Sequence, residues 1–406
     1  MTIVAGRFML LSANRTNNAK KNSTVIPVMS KKAPSFLSFL RLELPLWVSI
    51  TTTALFLVFG NRWLVDFSNI LWLSFVFTWL FVVILWSAFA VVRHAEALAI
   101  RLGEPYGTLI LTLSVISIEI MMISAVMITG GDKPTLARDT MYSILMIVLN
   151  GMIGLTLLLG ALRYREQQYN LRGANSFLAV ILPLAILGLI LPNYTRATMA
   201  PTFSTVQSIF LVTMTLGIYA VFLMMQTVRH RTHFMEPEEP PMGNALAKMV
   251  DHEHVTTYSV LYHSVLLLCY LAPVVLLAKK LAIPIDHGIG VLGAPAAVGG
   301  FFVAVLVLSP EGLGAIHAAL QNQLQRAVNI FLGSGLATIS LTIPAVLVIG
   351  LGTGEQVVLG LDHEESVMLV ATLMLSIITF GSGRTNVLLG AVHLLLFCAY
   401  FMLIWD

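Results

Sequence analysis

Charged side chains are scarce in this chain of 406 residues. Only 11% of the residues are Asp, Glu, Lys or Arg, whereas 57% are hydrophobic, and the mean hydropathy is +0.88. This composition excludes a soluble globular protein and indicates a polytopic membrane protein. Because the net charge of +3 is small and the basic residues are scattered, the sequence does not predict a nucleic-acid-binding surface.

Cysteine is also rare. Cys269 and Cys398 both lie in apolar stretches, which excludes a disulfide framework. The first 42 residues carry seven Lys and Arg residues and lack an apolar segment that ends in a small-residue cleavage site. We therefore expect no cleaved signal peptide and interpret residues 1–42 as a basic cytoplasmic tail.

The chain is rich in long apolar stretches. About 20 apolar residues cross the hydrocarbon core of a bilayer as a helix, and eleven stretches approach that length. They lie near residues 44–60, 70–92, 106–129, 141–162, 176–193, 203–226, 258–278, 291–309 with a continuation past Glu311, 328–350, 366–381 and 386–405. The sequence thus predicts an all-α integral membrane protein with about 11 transmembrane helices.

One long polar segment divides these stretches into two groups. Residues 227–257 are rich in His and Glu, and we interpret them as a cytoplasmic linker. Residues 43–69 then hold a first transmembrane helix, residues 70–226 a first five-helix repeat and residues 258–406 a second five-helix repeat. Since five helices separate equivalent positions, the two repeats are expected to have opposite orientations in the membrane.

The distribution of Lys and Arg indicates which end faces the cytoplasm. If the N-terminus is cytoplasmic, 17 of the 23 Lys and Arg residues fall in cytoplasmic segments. Positive charge concentrates on the cytoplasmic side of membrane proteins. We therefore predict a multi-pass membrane protein with a cytoplasmic N-terminus and a cytoplasmic His/Glu-rich linker; the family resemblance described below implies the cell inner membrane.

Two carboxylates lie deep in apolar stretches, Glu119 in the third and Glu311 in the eighth. Each ends a Ser-x-Glu triplet, with Ser117 and Ser309 at the matching positions. An ionisable group at bilayer depth is costly and indicates an ion or proton site, and inverted repeats would bring the two together near the midplane. A lone membrane Glu can instead link two helices, but the matched pair favours an ion site. Pro310 predicts a broken helix beside Glu311.

At such a pair, a cation and protons compete for the same carboxylate oxygen atoms. Two ionised carboxylates suit a cation that prefers oxygen ligands, such as calcium, whereas desolvation and like-charge repulsion favour protonation of the empty site. We predict that Glu119, Glu311, Ser117 and Ser309 are cation ligands. Candidate supports of the ion pathway in neighbouring spans are Ser114, Ser143, Asn150, Asn329, Ser334 and Thr338. Hydroxyls within a span often bond to their own helix, so a packing role stays open for each.

These motifs resemble the calcium/cation–proton exchanger family, and most closely its bacterial ChaA-type sodium/calcium–proton antiporters. The resemblance covers about residues 70–405 and depends on Gly-Glu-Pro-Tyr-Gly at 103–107, on Glu119, Ser143 and Glu311, and on segments 310–314, 340–344 and 383–388. Val115-Ile116 and Val307-Leu308 stand where the family has Gly-Asn in each repeat. This departure leaves the choice among calcium, sodium and potassium open.

The resemblance implies ten or eleven spans in two inverted halves, joined by an acidic linker. It further implies a secondary transporter, not an enzyme, that exports calcium, sodium or potassium in exchange for protons by alternating access. No cofactor is expected, and the expected partners are these cations, protons and the lipid bilayer, with the oligomeric state left open.

Two other interpretations of the function also stay open. One alternative is a sodium-driven calcium exchanger, which usually has more buried oxygen-rich side chains. The other is an intramembrane hydrolase or sensor, although Ser and Glu of each triplet point about 200° apart on a helix and so form no nucleophile–base pair.

Overall fold

The structure is a computed structural model that describes residues 36–102, 113–114, 116–124, 134–237, 258–295, 297–354 and 356–405. The helices in chain order are α1 (Phe36–Leu42), α2 (Leu44–Val58), α3 (Gly60–Trp63), α4 (Ile70–Leu102), α5 (residues 113–114 and 116–124), α6 (Leu136–Tyr164), α7 (Leu171–Tyr194), α8 (Thr205–Arg229), α9 (Val260–Leu292), α10 (Ala297–Leu320), α11 (Leu324–Thr353), α12 (His363–Thr379) and α13 (Val387–Leu403). A short 3₁₀ turn, Arg231–Phe234, follows α8.

The prediction of an all-α membrane protein is confirmed. Each predicted span overlaps a helix of the described residues, α2 for the first and α4 to α13 for the others, and parts of the third span lie outside those residues. Seven of them, α4 and α6 to α11, are long and apolar enough to cross a membrane, and α2 and α13 are shorter apolar helices. One exception to the helical pattern is a pair of two-residue antiparallel strands, β1 (Gln167–Gln168) and β2 (Arg384–Thr385).

Some of the predicted features lie outside the described residues. These are the first 35 residues of the tail, the Gly-Glu-Pro-Tyr-Gly segment at 103–107 and residues 238–257 of the linker. Nearly all the described residues belong to one compact unit, formed by Pro34–Met242 and Val260–Asp406. The division into two repeats stays a prediction.

Local sequence signals determine where several helices begin. Ser204 and Gln207 form a capping box at the start of α8, and Asp362 and Glu365 form another at the start of α12. Such pairs satisfy backbone N–H groups that have no partner within the helix. Gly354 ends α11 in the left-handed conformation, with φ of 77°, which glycine adopts at little steric cost.

The centre of the bundle is formed by α6 and α11. Their most apolar windows are 83% and 67% buried by other residues, whereas that of α8 is only 28% buried. α13 approaches α6 very closely, because a Cβ at Gly390 would lie only 2.6 Å from the backbone nitrogen of Leu158. Glycine at this position therefore permits the crossing.

α5 lies between two groups of buried side chains. Its residues Ile116 and Ile123 pack with the central helices, whereas Ile118 and Met122 pack with a second cluster built mainly by α2, α4 and α9. A residue on α5 is thus enclosed from both sides, which explains how Glu119 is kept away from lipid.

The expected helix break at Pro310 is wrong, because α10 runs without interruption from Ala297 to Leu320. A proline removes one backbone hydrogen bond and crowds the preceding turn, but neighbouring helices can hold a proline-containing membrane helix together. α10 packs against α6 and α11. Those two helices contain irregular backbone, as π-helical turns at Ile147–Met152 and Thr338–Thr342. Similar turns occur in α7 at Ile186–Ile190 and in α8 at Met225–Arg229.

Candidate cation site

Glu119 projects from α5 into the protein interior, where its side chain is only 1% exposed. Thr338 Oγ1 donates a hydrogen bond to Glu119 Oε2 at 2.9 Å, and Thr342 Oγ1 donates one to Glu119 Oε1 at 2.7 Å. The two threonines are four residues apart on α11 and therefore share one face. They bracket the π-helical turn of α11, an irregularity that frequently occurs at functional sites.

Glu311 projects from α10 and is only partly buried. Ser334 of α11 lies beside its carboxylate, and both side chains line the same cavity. The second oxygen, Oε2, is buried and has no hydrogen-bond partner among the described residues. A buried acceptor without a partner costs about 1 to 3 kcal/mol, and more when it is charged. This oxygen is therefore a natural position for a proton or a cation.

The two carboxylates are close enough to interact electrostatically. In the part of the chain that the structure describes, neither forms an ion pair with Lys, Arg or His. Their partners are neutral hydroxyl groups on the same helix, α11. Negative charge in this region is consequently not compensated by the protein, which suits a site that takes its positive charge from solution.

A cavity of about 410 Å³ gives access to Glu311. Glu311, Ser334 and Asn329 line it, together with Arg231 and Arg326. Both arginines belong to segments that the Lys and Arg distribution assigns to the cytoplasm. With that orientation, the cavity connects Glu311 to the cytoplasmic side.

The serines of the two triplets have similar surroundings. Ser117 Oγ donates a hydrogen bond to the carbonyl oxygen of Leu113, and Ser309 Oγ donates one to that of Val305, each at 2.5 Å. Both hydroxyls thus bond to the preceding turn of their own helix. Ser114, one turn before Ile118, is buried on α5.

The other polar residues named from sequence fall in two places. Thr338 and Ser334 contact the carboxylates as described above, and Asn329 lines the same cavity, with its Nδ2 donating to the carbonyl oxygen of Phe234 at 2.7 Å. Asn150 and Ser143 lie on α6 and bond elsewhere. Asn150 Nδ2 donates to Thr372 Oγ1 at 2.8 Å, and Ser143 Oγ donates to the carbonyl oxygen of Asp139 at 2.7 Å.

Thr342 was missed by the sequence analysis, although it contacts Glu119 more closely than Thr338 does. The spacing of four residues between these threonines was a usable signal, since it places both on one helix face. A further buried carboxylate, Glu43, was missed because it precedes an apolar stretch instead of lying within one. Its side chain is 0% exposed.

Fold and site together define a polytopic helical membrane protein with a pair of interior carboxylates whose partners are hydroxyl groups. Sequence comparison identifies the family. The model of the family described as "Sodium/calcium exchanger protein" matches residues 72–228 and 262–405. The chain belongs to this family, as its motifs predict.

Two curated relatives agree with this assignment. The sodium-potassium/proton antiporter ChaA of Escherichia coli K12 is 46% identical over 322 residues, which is 79% of this chain and 86% of the relative. The putative ionic transporter y4hA of Sinorhizobium fredii is 42% identical over 318 residues, or 78% of this chain and 85% of the relative.

Solved structures show the same fold at low sequence identity. Native YfkE superposes with a TM-score of 0.68 at 17% identity and covers 89% of this chain and 99% of its own. The H⁺/Ca²⁺ exchanger CAX superposes with a TM-score of 0.62 at 15% identity and covers 90% of this chain and 89% of its own.

Proposed function

We propose that the protein is a secondary active antiporter of the cytoplasmic membrane that exports a metal cation in exchange for protons by alternating access. Glu119 and Glu311 are its ion-binding residues. The observation that carries this proposal is the pairing of two interior carboxylates with neutral partners only, one of them with an unpartnered oxygen in a cavity. The 46% identical relative is named as a sodium-potassium/proton antiporter, which supports proton coupling.

Competition between protons and cation follows from this environment. Without a cation, desolvation and mutual repulsion keep at least one of the two carboxyl groups protonated. A cation that enters the cavity compensates the negative charge in place of protons, so its binding releases protons. Because both ligands cannot occupy the same oxygens together, movement of one is tied to movement of the other.

Hydroxyl oxygens complete the coordination of the cation in this proposal. Thr338 and Thr342 donate their hydroxyl hydrogens to Glu119, but each hydroxyl keeps two lone pairs for a cation beside it, and the Ser334 hydroxyl next to Glu311 offers oxygen lone pairs as well. Ser117 and Ser309 donate to backbone carbonyls and retain lone pairs in the same way. Hard cations such as calcium and sodium prefer oxygen ligands of this kind, and we propose calcium, sodium and potassium as the transported class.

The inverted repeats remain part of the proposal. The two segments that the family model matches, 72–228 and 262–405, nearly coincide with the predicted repeats at 70–226 and 258–406. Alternating access then consists of one half moving against the other around the carboxylates.

Purified protein in proteoliposomes tests the proposal. A pH gradient is imposed, Na⁺, K⁺ or Ca²⁺ is added, and a trapped pH dye is followed. We expect at least one cation to dissipate the gradient, and Glu311→Gln to slow this exchange at least about 100-fold. Glu166→Gln, at an exposed residue paired with Arg384, is the control and should match the wild type. If none of the three cations dissipates the gradient, the proposal is wrong.

A further inference from the structure

A second cavity, of about 430 Å³, lies between α6, α12 and α13. Its polar lining consists of Asp362, Glu364 and Glu365 at the start of α12, Tyr142 and Ser143 on α6, and Tyr400 on α13. On the orientation that the Lys and Arg distribution predicts, this end of the molecule faces away from the cytoplasm. The cavity shares none of its lining residues with the one that contains Glu311.

The charges around this cavity are unbalanced. Arg138 is held by other groups, since its Nε donates to Asp139 Oδ1 at 2.8 Å, its Nη1 to the carbonyl oxygen of Gly360 at 3.0 Å and its Nη2 to Asp362 Oδ2 at 3.3 Å. Among the described residues, Glu365 Oε2 accepts a hydrogen bond from the backbone N–H of Asp362, at 3.1 Å. Neither Glu364 nor Glu365 forms an ion pair with the described residues, although Arg138 lies close enough for its charge to act on Glu365.

A neutral oxygen is also available here. Tyr142 is only 4% exposed, and its hydroxyl has no hydrogen-bond partner in the described part of the chain. This hydroxyl and that of Tyr400 both lie close enough to Glu365 to interact with it electrostatically. Tyr400 differs because its hydroxyl donates to Ser143 Oγ at 2.9 Å. A buried hydroxyl without a partner is costly, and a ligand in the cavity would remove that cost.

We propose that this cavity is a second cation-binding site, separate from Glu119 and Glu311, that holds a divalent metal cation of the calcium class through Glu365, Glu364 and the hydroxyl of Tyr142. Glu364 and Glu365 together match the charge of a divalent cation, and all the donors are oxygens, which calcium prefers. Among the described residues, no three acidic side chains converge as closely as a fully dehydrated metal centre requires. The cation therefore keeps part of its water, for which a cavity of this volume has room.

Terbium luminescence tests this site without relying on transport. Tb³⁺ replaces Ca²⁺ at oxygen sites and luminesces when a nearby tyrosine is excited, and Tyr142 and Tyr400 adjoin the proposed ligands. The detergent-purified full-length protein should give a saturable signal that Ca²⁺ displaces. Glu365→Gln should raise the apparent Kd for Tb³⁺ at least about tenfold, since loss of one charged ligand costs more than 1.4 kcal/mol. Gln keeps an acceptor for the Asp362 N–H, so the start of α12 is preserved.

Three variants make the outcome decisive. Tyr142→Phe, which removes only the hydroxyl, should weaken binding by a few-fold while Tyr400 still sensitises the ion. Glu119→Gln and the surface control Glu166→Gln should leave the apparent Kd unchanged, even though the first abolishes exchange under the proposed function. A wild-type Kd in folded Glu365→Gln would overturn the second site, and so would a signal that is lost in Glu119→Gln instead.

Discussion

Two regions of the molecule bury a carboxylate almost completely, but the side chains that contact the two carboxylates differ in charge. Glu43 is 0% exposed and Glu119 is 1% exposed. Glu43, just before α2, accepts a hydrogen bond from Arg93 at 2.6 Å and lies 3.3 Å from the Nε2 of His94. Among the described residues, Glu119 accepts hydrogen bonds from the hydroxyls of Thr338 and Thr342 and forms no ion pair.

Under the proposed function, the charge of the partners, not burial, separates a structural carboxylate from an ion site. Tyr262 and Tyr270 of α9 also donate to Glu43, each at 2.9 Å, so Glu43 ties α2, α4 and α9 together. Burial alone would raise the pKa of Glu43, but the His94 hydrogen bond and the charge of Arg93 lower it to about 2. Glu43 therefore stays ionised, whereas the central carboxylates depend on protons or a cation for compensation.

The largest difference between the two regions is expected in exchange activity, from the variant Glu119→Gln. Exchange in proteoliposomes should fall at least about 100-fold, because one of the two groups that carry protons or cation is lost. The melting temperature in detergent should stay the same or rise, since an uncompensated buried carboxyl group is replaced by a neutral amide. Exchange at the wild-type rate in this variant would remove Glu119 from the mechanism.

For Glu43→Gln we expect lower stability but nearly unchanged exchange. The free energy of unfolding should fall by about 1 to 3 kcal/mol, because hydrogen bonds to a charged acceptor are weakened and Arg93 loses its ion pair. The exchange rate per folded molecule should remain within about threefold of the wild type. Thermal melting and proteoliposome exchange measured on one preparation check both parts. A variant that keeps its stability but loses exchange would assign Glu43 to the ion pathway.

Acid should destabilise the protein through the region around Glu43. Since the pKa of Glu43 is depressed from 4.5 to about 2, its contribution to stability is complete above about pH 4.5 and is lost as the pH falls toward 2. The melting temperature of the wild type should therefore decrease more steeply across this range than that of Glu43→Gln. Parallel curves for the two proteins would contradict the ion pair.

The smallest effect is expected from the hydroxyl partners of Glu119. Thr342→Val removes one hydrogen bond of about 1 kcal/mol, so the apparent cation affinity should fall about fivefold. Thr342→Ser, which retains the hydroxyl, is the matched control and should stay close to the wild type. Equal affinities for Val and Ser at this position would show that the hydroxyl does not contribute to cation binding.

The sequence accounts for much of the fold because membrane helices are defined locally. Each needs about 20 apolar residues, and each of the eleven predicted spans overlaps a helix in the described part of the chain. Glu119 and Glu311 stood out for the same local reason, as carboxylates inside apolar stretches. Glu43 and Glu365 were overlooked because each lies at a helix start, where sequence alone does not distinguish a buried carboxylate from a solvated one.

The sequence by itself thus determined the helices, the family and the two interior acids, because hydropathy and short motifs are properties of neighbouring residues. Only the tertiary structure decided which partners these acids meet. Thr338 lies 219 residues from Glu119, and Tyr270 lies 227 residues from Glu43. Contacts over such separations depend on how whole helices pack. The residues next to a buried carboxylate in the sequence do not determine whether a hydroxyl or an arginine contacts it.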